Sequence, residues 1–305
     1  MPRIPLEDNF NDVINKAQRG LKLTDEELVR RAEISPAELA AVKAGHVNDA
    51  VIRRVARHLK LSPDALEDLA HKRWYPKAPE FLTGFAAFNT PHEDMTVNSY
   101  LAWDPRERIA AAFDTGASAQ AVLDLIAAEE LELRYIFITH THPDHIADLA
   151  RLAGETGAEV WSSEREPVDF PGAKVFKENA HFHVGALAIK TLLTSGHSPG
   201  QTTFFLSGLS WPVAFVGDSL FASSMGGSAE HLEEQWRNNR QKIFTLLRDT
   251  VLACGHGPLT TLAQEKQHNP FFASRQNKAP APVVPAAPTK PARAQPAAKR
   301  KKSRR

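Results

Sequence analysis

The chain has 305 residues, enough for one full-sized domain with a small companion or for two ordinary domains. Its 42% hydrophobic content suits a protein with a real core, no apolar run approaches the ~18 residues that span a bilayer, and a single cysteine, Cys254, excludes an internal disulfide. The formal net charge of +1 hides a split: nine Lys/Arg and no Asp/Glu fall in residues 276–305, leaving 28 basic against 36 acidic residues over 1–275, a net of −8.

The N-terminus, MPRIPLEDNF, lacks the basic start and apolar stretch of a signal peptide. With the lone cysteine, this predicts a cytoplasmic protein. Residues 1–74 read as helical throughout. Thr24 and Glu27 form a capping box that opens one helix, and Ser35 caps another with Pro36 at its first position and Gly45 as its stop. Val51, Ile52, Val55, Leu59 and Leu61 follow helical apolar spacing, and Ser62-Pro63-Asp64 starts a further helix with Leu66 and Leu69. The stretch LTDEELVRRAEISPAELAAVKAGH, followed by AVIRRVARHLKLSPDALEDL, resembles the helix-turn-helix domain of the Cro/repressor (XRE) family. That resemblance implies a small all-α domain and aligns SPAELAAVKAG with the recognition helix. Readers of the major groove present Arg, Lys, Asn or Gln there. This helix presents Pro36, Ala37, Glu38, Ala40 and Ala41, with Lys43 as its one cation. DNA binding by residues 1–74 therefore stands beside protein docking or dimerisation, and the side chains favour docking.

From residue 75 to 275, apolar runs of strand length alternate with helical stretches. Strands are expected at 97–103, 109–113, 133–139, 187–194, 202–206, 213–216 and 251–254, and helices at 119–130, 144–157 and 229–248. The pattern is that of an α/β domain. The last segment, 276–305, has six prolines, nine basic residues and no aromatic side chain. It cannot bury enough apolar surface to order itself, so a disordered tail is expected, with the charge to bind nucleic acid or other polyanions.

The chemistry is concentrated in His140-Thr141-His142-Pro143-Asp144-His145. In extended chain, residues two apart point the same way, so His140 and His142 can grip one ion. Pro143 then suits the first position of a helix that turns Asp144 and His145 back to the same place. Imidazole and carboxylate suit Zn(II), Fe(II) or Mn(II). Three further apolar strands each run into an ionisable residue, namely His197 in SGHSPG, Asp218 in GDS and His256 in GHG. Ligands at the carboxyl ends of neighbouring strands converge on one edge of a sheet.

THTHPDH, followed in order by GHSPG, GDSLF and GHG, resembles the metallo-β-lactamase superfamily over most of residues 80–275. The resemblance implies a four-layer αβ/βα sandwich with two divalent metal ions, zinc first and iron or manganese as alternatives. It assigns His140, His142 and His197 to the first ion, Asp144, His145 and His256 to the second, and Asp218 to both. Asp114, in AFDTGAS, would support the site from behind. GHSPGQTTFFL, GDSLF and CGHGPLTTLAQEKQHNPF are similar to the shorter glyoxalase II-like hydrolases, which implies hydrolysis of a small thioester or ester. A hydroxide held between the ions would attack the carbonyl carbon, with Asp144 and Asp218 as catalytic residues. Two departures stand out. The glutathione-binding helical extension of two-domain relatives is replaced by the tail, and Ala222–Gly227 lacks the Gly-Arg often found there.

Two other functions compete. A persulfide dioxygenase would hold one iron through His140, His197 and Asp218, and a transcription regulator would use the metal domain as a sensor. His181 and His183 sit in an alternating strand pattern as solvent-facing histidines. His92 is placed in a loop over residues 89–93, and Cys254 reads as a small buried residue ending a strand. The oligomeric state stays open.

Overall fold

The structure, a computed structural model, describes residues 3–77 and 83–273, so the tail expected over 276–305 lies outside the described residues. The first five helices are α1 (Phe10–Gly20), α2 (Asp25–Ala32), α3 (Pro36–Lys43), α4 (Asp49–His58) and α5 (Pro63–Ala70). Both capping boxes form: Glu27 N–H reaches Thr24 Oγ1 at 3.2 Å and Glu38 N–H reaches Ser35 Oγ at 3.2 Å, with the glutamates bonding back. Glu33, with φ of 52°, ends α2 in a left-handed turn that leads directly to the Ser35 cap.

Strands β1 (Phe85–His92), β2 (Met95–Trp103) and β3 (Ile109–Phe113) are followed by α6 (Gln120–Ala128), β4 (Glu132–Phe137), the single turn α7 (Pro143–Ile146) and α8 (Leu149–Thr156). Next come β5 (Glu159–Ser163), β6 (Lys174–Phe176), β7 (His181–Val184), β8 (Leu187–Leu193), β9 (Thr202–Ser207) and β10 (Val213–Gly217). Helix α9 (Leu232–Asn238) runs into a π-helical turn (Asn239–Ile243), then β11 (Val251–Cys254), β12 (Thr260–Thr261) and α10 (Leu262–His268).

Two six-stranded sheets result, in the orders β1-β2-β3-β4-β5-β6 and β12-β11-β10-β9-β8-β7. Strands β3 to β6 run parallel, as do β10 and β11, while the remaining pairs are antiparallel. Alternation of side chains decides what each face meets. Ala111 and Phe113 of β3 point between the sheets with Val213 and Phe215 of β10, and the rings of Phe113 and Phe215 stack at 3.5 Å. Ala110 and Ala112 face α6 and α8 on the outside of the first sheet. Ala214 and Val216 face outward from the second sheet into a cluster that includes Val13 and Ile14 of α1, Leu28 of α2, Val55 of α4, Leu66 of α5 and Trp236 of α9. The architecture is an α/β sandwich of four layers. Helices α1–α5 share the outer core of the second sheet.

His92 closes β1 as strand, paired with Met95 across the Glu93-Asp94 turn, so the expected loop at residues 89–93 is corrected. The hairpin's ladder reaches that far because Asn89, Thr90 and Pro91 pair with Asn98, Val97 and Thr96.

Candidate metal centre

Strand ends carry the site. Just beyond β4, Thr139 and His140 are buried, and Pro143 opens α7 so that Asp144 and His145 turn back toward His140. His197 follows β8, Asp218 follows β10 and His256 follows β11. Parallel pairing of β10 with β11 sets the last two side by side, with Gly255 N–H on the Gly217 carbonyl at 2.9 Å. Only glycine fits at 255, where a β-carbon would strike Asp218 Oδ1 and lie 2.8 Å from His145 Cε1.

The seven residues form two adjoining sets: His140, His142, His197 and Asp218, and Asp144, His145 and His256, with the potential ligand atoms of each set within 4.8 Å of one another. His142 Nδ1 lies 3.0 Å from His140 Nε2 and 3.1 Å from His197 Nε2. Asp218 faces both sets, with Oδ2 at 3.4 Å from His197 Nε2 and 3.6 Å from His256 Nε2, and Oδ1 at 3.3 Å from His145 Nε2. Asp144 Oδ2 stands 3.2 Å from His256 Nε2 and 3.5 Å from His145 Nε2.

The opposite ring nitrogens are tethered. His145 Nδ1 bonds Asp114 Oδ2 at 2.8 Å, His197 Nδ1 the Gly227 carbonyl at 2.9 Å, His256 Nδ1 the Thr96 carbonyl at 2.8 Å, and His140 Nδ1 Thr139 Oγ1 at 3.1 Å. Carbonyl and carboxylate partners require N–H at those positions, leaving Nε2 as the inward lone pair when the ring is neutral. Two inward atoms, His145 Nε2 and Asp218 Oδ1, are buried with no hydrogen-bond partner among the described residues. Orphaned buried polar atoms are expensive, and a divalent cation between them would satisfy both. The donor set fits the metal that the fold implies.

Charges within the cluster move its protons. Burial and the neighbouring charge of His145 hold His140 well below its ordinary value, and burial with His197 lowers His142. Burial opposes charge on Asp218, yet His256 and His145 outweigh it and keep the carboxylate ionised far below the usual range. Burial likewise opposes protonation of His145 and His256, but Asp114 and Asp218 lift the first well above 6.5, and Asp218 with Asp144 lifts the second to about 9. A cation entering there competes with those protons.

One residue that builds the site, Glu166, escapes sequence reading, whereas Asp114 is read there as a support. Glu166 accepts from Thr141 N–H and Oγ1 at 2.8 Å each, from Gly200 N–H at 2.7 Å and from Ser198 Oγ at 2.5 Å. It ties the THTHPDH loop to the GHSPG loop. Its signal is the one that found the ligands, an ionisable residue just past an apolar strand, but β5 is too short and mixed to be read as one. Asp114, at a left-handed φ of 56°, accepts from Thr139 N–H, Thr139 Oγ1 and His145 Nδ1, all at 2.8 Å. His181 and His183 are exposed on β7, and Cys254 is buried at the end of β11.

The fold and this arrangement define a metal-dependent hydrolase of the metallo-β-lactamase type. The family model described as the Metallo-beta-lactamase superfamily matches residues 93–256, just over half of the chain, and the chain belongs to that superfamily. Hydroxyacylglutathione hydrolase GloC of Haemophilus influenzae is 30% identical over 201 residues, covering 58% of this chain and 93% of the relative. A hydroxyacylglutathione hydrolase of Acidiphilium cryptum is 27% identical over 215 residues, or 69% of this chain and 86% of the relative. Of the longer hydroxyacylglutathione hydrolase of Pseudomonas entomophila, 30% identical, the chain spans 60%. Among solved structures, ETHE1 from Myxococcus xanthus aligns with a TM-score of 0.53 at 25% identity, over 61% of this chain and 83% of that one. The BLEG-1 B3 metallo-beta-lactamase aligns with a TM-score of 0.54 at 25% identity, over 62% of this chain and all of the other. The chain is a metal-dependent hydrolase of the glyoxalase II kind.

Proposed function

We propose that the protein hydrolyses a small thioester, of the hydroxyacylglutathione class named for its relatives, at a centre of two divalent ions. His140, His142 and His197 would hold one ion, Asp144, His145 and His256 the other, and Asp218 would serve both. Zinc is the first candidate, with iron or manganese as alternatives. The observation that carries this reading is the convergence of seven inward-facing ligand atoms into two adjoining sets, with His145 Nε2 and Asp218 Oδ1 buried 3.3 Å apart and without a hydrogen bond among the described residues. When bound, such ions would supply a water acidic enough to act as nucleophile near neutral pH and positive charge for the developing oxyanion.

The chain's own groups supply the remainder. Asp144 would accept a hydrogen bond from the nucleophilic water and orient its lone pair. Asp218 spans the two sets and fixes their separation. Asp114, Thr139, Gly227 and Thr96 hold the imidazoles in the tautomer that turns Nε2 inward at His140, His145, His197 and His256. The Cro/repressor likeness of α1–α5 supports a docking role more than DNA binding, since Pro36, Ala37, Glu38 and Ala40 are the exposed residues of α3.

The test couples metal analysis of the purified chain to hydrolysis of S-lactoylglutathione and simpler thioesters. Two metal equivalents and turnover are expected, and His142→Ala should lose one equivalent and at least about a hundredfold in rate. One tightly held iron, no hydrolysis and oxygen consumption with glutathione persulfide would replace this reading with a dioxygenase.

A further inference from the structure

Two of the metal-site residues depend on a loop whose own side chains cannot steady it. His197 Nδ1 donates to the Gly227 carbonyl at 2.9 Å, and Gly226 N–H donates to the Asp218 carbonyl at 3.0 Å. Glycine is required at 226, where a β-carbon would strike the Asp218 carbonyl oxygen and lie 2.7 Å from His197 Nδ1. The same close approach leaves Gly226-Gly227 without side chains to restrict its backbone. Its orientation has to be fixed by groups from outside.

Those groups come from α1 and α9. Lys16 Nζ donates to the Met225 carbonyl at 3.1 Å, and Gln235 Nε2 donates to the Gly226 carbonyl at 3.1 Å. The Met225 carbonyl and the Gly226 N–H belong to one peptide unit, so a single plane joins the Lys16 ammonium to the main chain of Asp218. A cation on that carbonyl also polarises the peptide and strengthens its N–H as a donor. Lys16 is itself anchored: Asp8, only 7% exposed, accepts at Oδ2 from Lys16 Nζ at 2.5 Å and from Ser224 Oγ. Asp8 and Lys16 thus clip the N-terminal segment to Ser224 and Met225. The tethers of the other set, Asp114 on His145 and the Thr96 carbonyl on His256, lie in other parts of the chain.

We propose that Lys16 is a positioning residue of the metal centre, fixing Asp218 and His197 through the Met225-Gly226 peptide and the Gly227 carbonyl. It rests on the hydrolase reading above and makes α1 a working part of that site.

The test titrates the metal-free full chain with zinc against a chromophoric chelator. In Lys16→Met, which keeps the length of the side chain, the equivalent held by His197 and Asp218 should weaken about tenfold and the other less than about threefold, as when an outer partner of a ligand is lost. Lys16→Cys separates charge from packing, because the one native thiol, Cys254, is buried and the new thiol can be alkylated alone. Treatment with 2-bromoethylamine restores an ammonium at lysine's reach, whereas iodoacetamide leaves a neutral arm of similar length. Only the ammonium form should regain wild-type affinity. Equal affinities in the two alkylated forms, or a parallel loss at both equivalents, would overturn the proposal. Should the variants at 16 not fold, Asp8→Asn frees the ammonium from its anchor and should weaken one equivalent about threefold, with no change counting against Lys16. A wild type that holds a single ion is read at that ion, since His197 and Asp218 belong to the one-metal set as well. Thioester turnover is read separately: metal binding that depends on the ammonium without hydrolysis counts against the hydrolase reading alone, and hydrolysis with metal binding indifferent to the ammonium counts against Lys16 alone.

Discussion

Glu265 of α10 is fully buried, with Oε2 accepting from Ser223 N–H at 3.0 Å and Asn269 Nδ2 at 2.9 Å, and Oε1 from Thr260 Oγ1 at 2.7 Å. Burial outweighs these bonds and lifts its pKa from 4.5 to about 7. A carboxyl whose folded pKa is raised binds its proton more tightly in the native state. Its stabilising contribution is complete below about pH 4.5 and is lost as pH rises through about 7, with a ceiling on the order of 3 kcal/mol. Glu265→Gln mimics the protonated acid and cannot titrate. Denaturant unfolding should therefore show the variant gaining on wild type by up to about 3 kcal/mol between pH 5 and pH 8. An equal difference at both pH values would mean that Glu265 stays ionised throughout. Residues of this kind divide by how local their partners are. The ligand motifs were legible because each ligand sits in a short Gly- or Pro-marked turn at a strand end. Lys16 and Met225 are 209 residues apart, and nothing near either one announces the other.

Elements were legible where apolar residues cluster between turns. Strands β3 and β11, buried on nearly every residue, run as read, and β2, β4, β8, β9 and β10 differ by one or two residues at their ends, because such clusters leave few alternatives. The helix expected at 144–157 is instead two, α7 and α8. The His145 carbonyl accepts from Thr115 N–H at 2.9 Å and Thr115 Oγ1 at 3.1 Å, and the Asp148 N–H donates to Thr115 Oγ1 at 3.3 Å. Long-range partners capture the groups that a continuous helix would have used. The expected helix at 229–248 is likewise shortened to α9 and its π-helical turn. Contacts between elements also reverse a propensity. Gly20 lies in the last turn of α1, where Ala would stabilise an isolated helix by about 1 kcal/mol. Here a β-carbon would stand 2.6 Å from Leu232 Cδ2 and 2.8 Å from the Ser228 carbonyl oxygen. Gly20→Ala should destabilise the protein by about 1–3 kcal/mol in thermal or denaturant unfolding. A rise in stability would mean that the end of α1 is free of α9.

At the scale of the molecule, the five N-terminal helices read from sequence as a separate module because an apolar stripe does not say what covers it. The periodic positions are the same whether a helix packs within its own bundle or on a neighbouring sheet. In the structure they do both. Phe10, Val13, Ile14 and Ala17 of α1 belong to the same buried cluster as Ala214, Val216 and Leu252 of the second sheet and Leu232 and Trp236 of α9. The outer helical layer of that sheet is thus supplied in part by residues before 75. Each buried Val, Leu or Ile contributes roughly 1.5–3 kcal/mol relative to exposure, so losing several at one face exceeds the few kcal/mol by which domains are stable. Deleting residues 1–74 should therefore uncover an apolar sheet face and remove the Asp8 and Lys16 clip from Ser224 and Met225. The remaining chain is expected to aggregate or to bind a hydrophobic dye strongly, with metal retention reduced, when followed by size-exclusion chromatography and metal analysis. A soluble, monodisperse fragment with full metal content and thioester turnover would instead make the helices an independent appendage. The role of α1–α5 would then have to be sought outside the hydrolase, on the exposed face of α3.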